Sequence, residues 1–116
     1  MFWTLSQVAL GGAIGSVLRF VTVAAFGAPW AVAVVNVLGS FVMGLVFVPA
    51  GRLGLSPLLL AGILGGFTTF SAFSLDALKL WQSGELAQAL LYVGLSVGLS
   101  LLAVALGAAL AKGALG

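Results

Sequence analysis

The sequence predicts an all-α membrane protein built from four transmembrane helices. Of its 116 residues, 63% are hydrophobic and only 5% are charged, whereas soluble domains carry about 25% charged residues. Three short breaks leave apolar segments at roughly 4–26, 30–50, 57–80 and 85–111. Each is near or above the roughly 20 residues that cross a bilayer core as a helix. We therefore expect residues 1–116 to form one transmembrane domain with very short loops.

Composition also excludes several classes of function. The chain has no cysteine and no histidine, which removes thiolate chemistry and the commonest metal ligand. Four basic and two acidic side chains give a net charge of +2, which is too sparse for a nucleic-acid interface. The only carboxylates, Asp76 and Glu85, fall near one membrane interface, and no nucleophile–base set is visible. We expect neither an enzyme nor a nucleic-acid partner.

The first span carries Arg19 most of the way along its length. An arginine at that depth is costly unless it reaches the interface or finds a partner. Two interpretations stay open. Arg19 is either an interfacial anchor or part of an electropositive entrance that raises the local concentration of anions.

The basic residues are balanced between the two ends of the bundle. Four spans place Arg52 and Lys112 on one side, with Lys79 on the other; Arg19 joins Lys79 if it leans towards the nearer end of its span. Orientation normally follows an excess of Lys and Arg on the cytoplasmic side. The count of two against two predicts insertion in both orientations, with two opposite copies paired about an axis in the membrane plane. The alternative is that a weak bias selects one orientation.

The second span carries Asn36, with Ser40 one turn later. An asparagine at this depth can join helices through hydrogen bonds. It can also offer two N–H donors to an anion. The sequence alone favours neither interpretation.

The third span contains the most unusual run, Gly65 to Ser74, which places two glycines, two threonines and two serines inside an apolar segment. Glycine permits dihedral angles that other residues avoid, and the hydroxyls of Thr68, Thr69 and Ser71 can replace lost helical hydrogen bonds. The run predicts a helix broken mid-membrane, which is tolerated only where protein or a cavity covers the backbone. Exposed carbonyls would suit a cation such as Na⁺, and a restarted helix would favour an anion. A continuous helix with a small-residue packing face is the alternative.

Aromatic and hydroxyl side chains line up beyond this break. Phe70 and Phe73 are spaced i, i+3 and share a helix face, and the positive edge of an aromatic ring can contact a small anion. On the fourth span Tyr92, Ser96 and Ser100 are spaced i, i+4, i+8 and form one stripe. We interpret the stripe as a track of hydroxyl donors that crosses the membrane.

Small residues recur four positions apart, a spacing that lets transmembrane helices approach closely. As a set they predict a tight bundle or dimer. The pairs are Gly11/Gly15, Gly12/Ser16, Ser40/Gly44, Gly62/Gly66 and Gly94/Gly98.

Three segments resemble the small dual-topology fluoride channels, the Fluc or CrcB family. The run Gly-Gly-Phe-Thr-Thr-Phe-Ser-Ala-Phe-Ser at 65–74 closely resembles the family signature. The segments 11–19 and 36–41 resemble its first-span and second-span patterns. The match covers all four spans in order and spacing, and the run at 65–74 is its specific part.

The resemblance implies an antiparallel homodimer with two fluoride pores in a prokaryotic inner membrane. Its members export fluoride passively and relieve fluoride toxicity. A central structural Na⁺ would be held by the backbone carbonyls of Gly65 and Thr68 from each subunit. Arg19 matches the family's first-span arginine. The fluoride pathway would use Asn36, Thr69, Phe70, Ser71, Phe73, Tyr92, Ser96 and Ser100.

Two other functions remain as alternatives. A small proton-coupled multidrug exporter shares the length, the four spans and the dual topology, but it needs a mid-membrane carboxylate in its first span. This first span has none. A non-transporting membrane scaffold would explain the glycine pairs. It would not explain Asn36, the broken span and the hydroxyl track together.

Overall fold

The computed structural model describes residues 1–115, and this part of the chain contains helices and short turns but no strand. The third apolar segment is divided into a π-helix, a short α-helix and a longer one. The elements are α1 (Phe2–Phe26), α2 (Trp30–Arg52), the π-helix (Pro57–Leu64), α3 (Gly65–Phe67), α4 (Phe70–Gln82) and α5 (Leu86–Leu115).

Four stretches of helix are long and apolar enough to cross a membrane. They are Phe2–Phe26, Trp30–Arg52, Pro57–Gln82 and Leu86–Gly113, with mean hydropathies of 1.7 to 2.4. Large apolar side chains cover the outer surface, as Phe20 and Phe47 illustrate. Such a surface suits hydrocarbon rather than water. The predicted all-helical membrane fold with four spans is confirmed.

Tight turns join successive helices, so that neighbouring spans run antiparallel. Gly27 (φ 87°) and Gly84 (φ 81°) adopt left-handed backbone conformations in the first and third turns, which favour a residue without a Cβ atom. The N-terminus of α1, the C-terminus of α2 and the C-terminus of α5 therefore share one end of the bundle. Arg52 and Lys112 lie at this end, and Lys79 lies at the other.

Glycines bring α1 into backbone contact with the third segment. A Cβ atom on Gly11 would lie 2.8 Å from the Cα atom of Gly62, and one on Gly15 would lie 2.8 Å from the Phe67 nitrogen. A Cβ atom on Gly66 would lie 2.8 Å from the Gly12 carbonyl oxygen. The first and third spans therefore have no room for side chains between them, as expected for small-residue interfaces.

The second helix pair, α2 with α5, also meets through glycine. A Cβ atom on Gly44 would lie 2.7 Å from the Ala108 nitrogen, and one on Gly107 would lie 3.0 Å from the Leu45 nitrogen. Gly94 and Gly98, predicted as a packing pair, have no atom within 4 Å of the position of a Cβ atom. Within the chain, that face of α5 is open.

A small aromatic core lies towards the end of the bundle that carries the first turn. Tyr92 is fully buried between Trp30 and Phe73, and its ring centroid lies 5.3 Å from each of theirs. Val32 and Ala33 of α2 complete this cluster. The core ties α2, α4 and α5 together and fixes Phe73 at the base of the site described next.

Candidate functional site

Two residues with extended backbone separate α3 from α4. Thr68 has φ −84° and ψ 155°, and Thr69 has φ −152° and ψ 128°. The Thr69 hydroxyl oxygen accepts a hydrogen bond from the Ala72 N–H (3.2 Å) and caps the new helix. The Thr68 hydroxyl donates back to the Leu64 carbonyl (3.0 Å). The Thr69 hydroxyl therefore replaces the helical partner that the Ala72 N–H loses at the interruption, whereas the Leu64 carbonyl also keeps its helical hydrogen bond from the Thr68 N–H.

Asn36 holds the extended backbone from the side of α2. Its Nδ2 donates to the Thr69 carbonyl (2.9 Å), and its Oδ1 accepts from the Thr69 N–H (2.7 Å). The amide thus joins helices, one of the two roles left open from the sequence. Because one Nδ2 hydrogen is engaged, a single N–H donor of Asn36 remains for any other partner.

Arg19 holds the interruption from the side of α1. Its Nε donates to the Gly66 carbonyl (3.0 Å), whose partner in a continuous helix would be the Phe70 N–H. A Cβ atom on Gly66 would lie close to Gly12 and Ser16, so Gly66 lies level with the part of α1 that precedes Arg19. The side chain therefore points back from the nearer helix end. Arg19 therefore does not add a basic side chain to the end that carries Lys79. The basic side chains then number two at one end of the bundle and one at the other.

Among the described residues, the backbone carbonyls of Gly65, Phe67 and Thr68 at the interruption are left without hydrogen-bond partners. The Thr69 N–H, which a continuous helix would donate to the Gly65 carbonyl, donates to Asn36 instead. Among the described residues, neither the Gly65 nor the Thr68 carbonyl accepts a backbone or side-chain hydrogen bond. Unpaired carbonyl oxygens are suitable ligands for a hard cation. The described residues contain no group of three or more Asp, Glu, His or Cys side chains that could hold a metal.

A cavity of about 280 Å³ lies beside the interruption, between α2, α4 and α5. It brings together six of the residues predicted for the fluoride pathway: Asn36, Thr69, Phe70, Phe73, Ser96 and Ser100. Ser40 and Thr68 also line it, and Val97 and Leu101 complete the wall. Residues from three spans thus converge on one partly polar cavity in an otherwise apolar bundle.

The hydroxyls of Ser96 and Ser100 are the least satisfied polar groups of this cavity. Both Oγ atoms are buried, and neither has a hydrogen-bond partner among the residues that the structure describes. A serine in a transmembrane helix commonly bonds back to its own backbone, as Ser74 does to the Phe70 carbonyl (2.8 Å). Buried polar atoms without a partner are uncommon and call for a ligand or water.

The two phenylalanines occupy different positions at this cavity. Phe73 is buried (6% exposed), whereas Phe70 is 75% exposed. Their ring centroids lie 5.4 Å apart with an interplanar angle of 54°. Phe73 is therefore held by the chain's own core, and Phe70 forms a rim that the described residues leave largely uncovered.

Two predicted pathway residues do not line the cavity. Ser71 is exposed, with its hydroxyl 3.3 Å from that of Thr69. Tyr92 lies in the aromatic core, and its hydroxyl is 3.5 Å from Asp76 Oδ2, a long contact. Tyr92 is one turn before Ser96 on α5, so the residue belongs to the same stripe, although its hydroxyl is directed to Asp76.

The sequence analysis did not predict that Asp76 is buried next to the predicted fluoride pathway. This carboxylate is buried and follows Phe73 by one turn of α4, next to the Tyr92 hydroxyl. The spacing Phe70, Phe73, Asp76 is i, i+3, i+6 and could have indicated a shared face. The roles of Arg19 and Asn36 at the interruption had no such signal, because their partners lie 47 and 33 residues away along the chain.

Comparison with known proteins identifies the family. The model of the family described as CrcB-like protein, Camphor Resistance (CrcB), matches residues 6–108. A fluoride-specific ion channel FluC of Ruegeria sp. (strain TM1040) is 48% identical over 125 residues, covering 99% of each chain. A protein of the same name from Cereibacter sphaeroides is 48% identical over 121 residues, covering 97% of this chain and 98% of its own. One from Jannaschia sp. (strain CCS1) is 53% identical over 88 residues, covering 73% of this chain and 84% of its own. The chain belongs to the CrcB-like family.

Proposed function

We propose that this member of the CrcB-like family is a fluoride-specific ion channel. The observation that carries the proposal is the pair of buried, unpartnered hydroxyls of Ser96 and Ser100 beside Phe73 in one cavity. The relatives that match nearly the whole chain are named fluoride-specific ion channels. A channel carries out no bond chemistry, which agrees with the prediction that the chain is not an enzyme.

Fluoride is small and strongly hydrated, so the pathway must replace much of its water shell. In our proposal the Ser96 and Ser100 hydroxyls donate to the ion, as they have no competing partner in the chain. The free Nδ2 hydrogen of Asn36 provides a further donor at the interruption. The edges of the Phe70 and Phe73 rings contact the ion where no hydroxyl reaches it. Thr69, Ser71 and Tyr92 stand at the margins of this path.

Transport in this proposal is passive. A proton-coupled carrier usually keeps a carboxylate at the membrane centre, and α1 contains none. The ion therefore follows its electrochemical gradient, and export lowers the fluoride concentration inside a cell. This argument also weighs against the proton-coupled multidrug exporter. The unpaired hydroxyls weigh against a scaffold without transport, since packing alone does not require them.

We further propose that the complete channel is an antiparallel dimer with two pores in a prokaryotic inner membrane. Phe70 is exposed beside the cavity, and no other described element lies within 4 Å of a Cβ position on Gly94 or Gly98. A second copy would cover both. The basic residues at the two ends differ by one, two against one, which is a small bias for orientation. A C-terminal tag that is accessible from both sides of the membrane would support this arrangement, and access from one side only would exclude it.

A Na⁺ ion at the dimer axis is the remaining part of the proposal. The unpaired carbonyls of Gly65 and Thr68 fit such an ion, because they are hard oxygen ligands without competing donors. Gly65 and Thr68 supply two oxygens from one chain, and the same two carbonyls of the second copy would complete the site. The ion supplies positive charge close to the anion path when it is bound. Replacement of Na⁺ by K⁺ should lower the melting temperature of the purified dimer. An unchanged melting temperature would contradict the site.

The central experiment is fluoride efflux from liposomes that contain the purified protein, followed with a fluoride electrode. Wild-type protein should release fluoride and retain chloride, and Phe73→Ile should abolish or strongly reduce fluoride release. Phe47→Ile is the matched control, because Phe47 is an exposed phenylalanine of α2 that does not line this cavity. Equal fluoride and chloride fluxes, or an undiminished flux in Phe73→Ile, would reject the proposed function.

A further inference from the structure

A second cleft with a different chemistry lies at the end of the bundle where α2 and α5 terminate. It has a volume of about 350 Å³ and begins beyond the backbone contact of Gly44 with Ala108. Its walls are the apolar side chains of Phe47, Val48 and Ala111. The cleft and the fluoride-pathway cavity have no lining residue in common. The proposed fluoride function assigns the cleft no role.

Two cations stand at this cleft. Arg52 ends α2 and Lys112 lies in the last turn of α5, and both side chains line the cleft and are exposed. The two carboxylate side chains of the chain, Asp76 and Glu85, belong to the opposite half of the membrane, in α4 and in the turn before α5. No side-chain carboxylate is therefore available here to neutralise Arg52 or Lys112.

The two ends of the bundle differ in this respect. At the other end Lys79 lies three positions after Asp76 and six positions before Glu85 in the sequence. At the cleft, the described residues provide two cations and no carboxylate side chain, at the depth where lipid headgroups meet the hydrocarbon. Basic pockets between transmembrane helices at this depth favour anionic headgroups.

We propose that this cleft binds one anionic phospholipid. The phosphate lies between Arg52 and Lys112, and an acyl chain enters the cleft along Phe47, Val48 and Ala111. The arrangement selects a lipid over free phosphate because the walls are apolar and open towards hydrocarbon. A zwitterionic lipid is disfavoured, because its ammonium group would meet two cations with no carboxylate side chain to receive it.

Native mass spectrometry of the purified dimer or monomer tests the proposal with defined lipids. Wild-type protein should retain phosphatidylglycerol in preference to phosphatidylcholine of the same chains. Each basic side chain near an anionic lipid contributes about a factor of five in affinity, so the double variant Arg52→Gln/Lys112→Gln should lose about 25-fold. Lys79→Gln is the matched control at the other end and should retain the lipid.

A second variant separates a shaped site from general attraction between charges. Ala111→Phe keeps both cations and fills the cleft, so phosphatidylglycerol retention should fall. Equal retention in Ala111→Phe and wild type, or an equal loss in Lys79→Gln and the double variant, would overturn the proposal. The proposal would also be overturned if millimolar inorganic phosphate displaced the bound lipid as effectively as added phosphatidylglycerol does. That result would assign the site to the free anion. Fluoride flux is not a readout here, so the two proposals fail independently.

Discussion

The two halves of the bundle both pack through glycines, but they differ in whether their polar groups are satisfied. In the glycine-packed half, formed by α1, the π-helix and α3, backbones touch, and Gly11 and Gly15 leave no space between helices. In the cavity half, formed by α2, α4 and α5, backbones touch at Gly44 and Gly107, but a cavity opens beside α4, and Ser96 and Ser100 stay unpaired there. One half is thus a closed scaffold, and the other keeps hydrogen-bonding capacity unused.

The interruption at Thr68 and Thr69 lies on the boundary between these halves. Arg19 reaches it from the glycine-packed half and Asn36 from the cavity half. Backbone groups freed from a helix in a membrane must find partners inside the protein. The comparison teaches that the break is stabilised from both sides, while the groups that face the cavity remain available to an ion.

The largest effect is expected for Asn36→Ala, which removes the link between the cavity half and the interruption. The Thr69 N–H and carbonyl would both lose their partner, and the free energy of unfolding should fall by about 3 kcal/mol or more. Unfolding in mixed micelles measures this, with Ser40→Ala as the control on the same helix and cavity. Equal stabilities of the two variants would show that Asn36 does not hold the break.

The next largest effect is expected where α1 and the third segment are in backbone contact in the glycine-packed half. In Gly15→Ala the new methyl group would meet the Phe67 nitrogen at 2.8 Å, and such overpacking should destabilise the fold by about 2 kcal/mol. Gly12→Ala is the control on the same helix, because no atom lies within 4 Å of its Cβ position. If Gly12→Ala were as destabilising as Gly15→Ala, helix propensity or assembly rather than this contact would explain the loss.

A smaller effect is expected for Arg19→Met, which leaves the Gly66 carbonyl without its partner. Hydrogen bonds to charged groups contribute about 1.5 kcal/mol or more, and this is the expected loss in the free energy of unfolding. Hydrogen exchange of the amides at 66–70 should accelerate in this variant. Arg52→Met removes the same charge far from the interruption and should leave that exchange unchanged. Faster exchange in both variants would point to a general effect of charge.

The smallest effect on stability is expected for Ser96→Ala and Ser100→Ala. Neither hydroxyl has a partner to lose, so the free energy of unfolding should change by less than about 0.5 kcal/mol. Fluoride flux should nevertheless fall by about 10-fold or more, because a hydrogen bond to the anion is lost. Ser74→Ala, whose hydroxyl bonds to its own helix, should keep the flux. Full flux in both cavity variants would show that these hydroxyls do not serve the ion.

Much of the fold was predictable because it depends on composition along the chain. The apolar segments and the turns between them give four spans, since a bilayer sets one length for every helix. The helical interfaces were predictable only in part. Gly11, Gly15 and Gly62 do form a contact, but Gly94 and Gly98 form none and Gly107, outside every predicted pair, does. Spacing on one helix does not specify which neighbour that helix meets.

The candidate site divides in the same manner. Periodicity placed Phe70 with Phe73 and Ser96 with Ser100, because residues three or four apart share a helix face. It could not show that Asn36 uses both polar atoms of its amide on Thr69. It also could not show that Arg19 turns back to Gly66, which changed the charge count from which dual insertion was inferred.

The amino-acid sequence by itself determined the class of this protein: a four-span helical membrane protein with a polar, glycine-rich run in its third span. These features are local, because hydropathy and backbone freedom act over a few residues. Only the tertiary structure decided which groups satisfy the interruption and which stay free. That outcome depends on contacts across 33 and 47 residues. Arg19 and Asn36 hold the backbone of the interruption, whereas the hydroxyls of Ser96 and Ser100 and one Nδ2 hydrogen of Asn36 remain for a ligand.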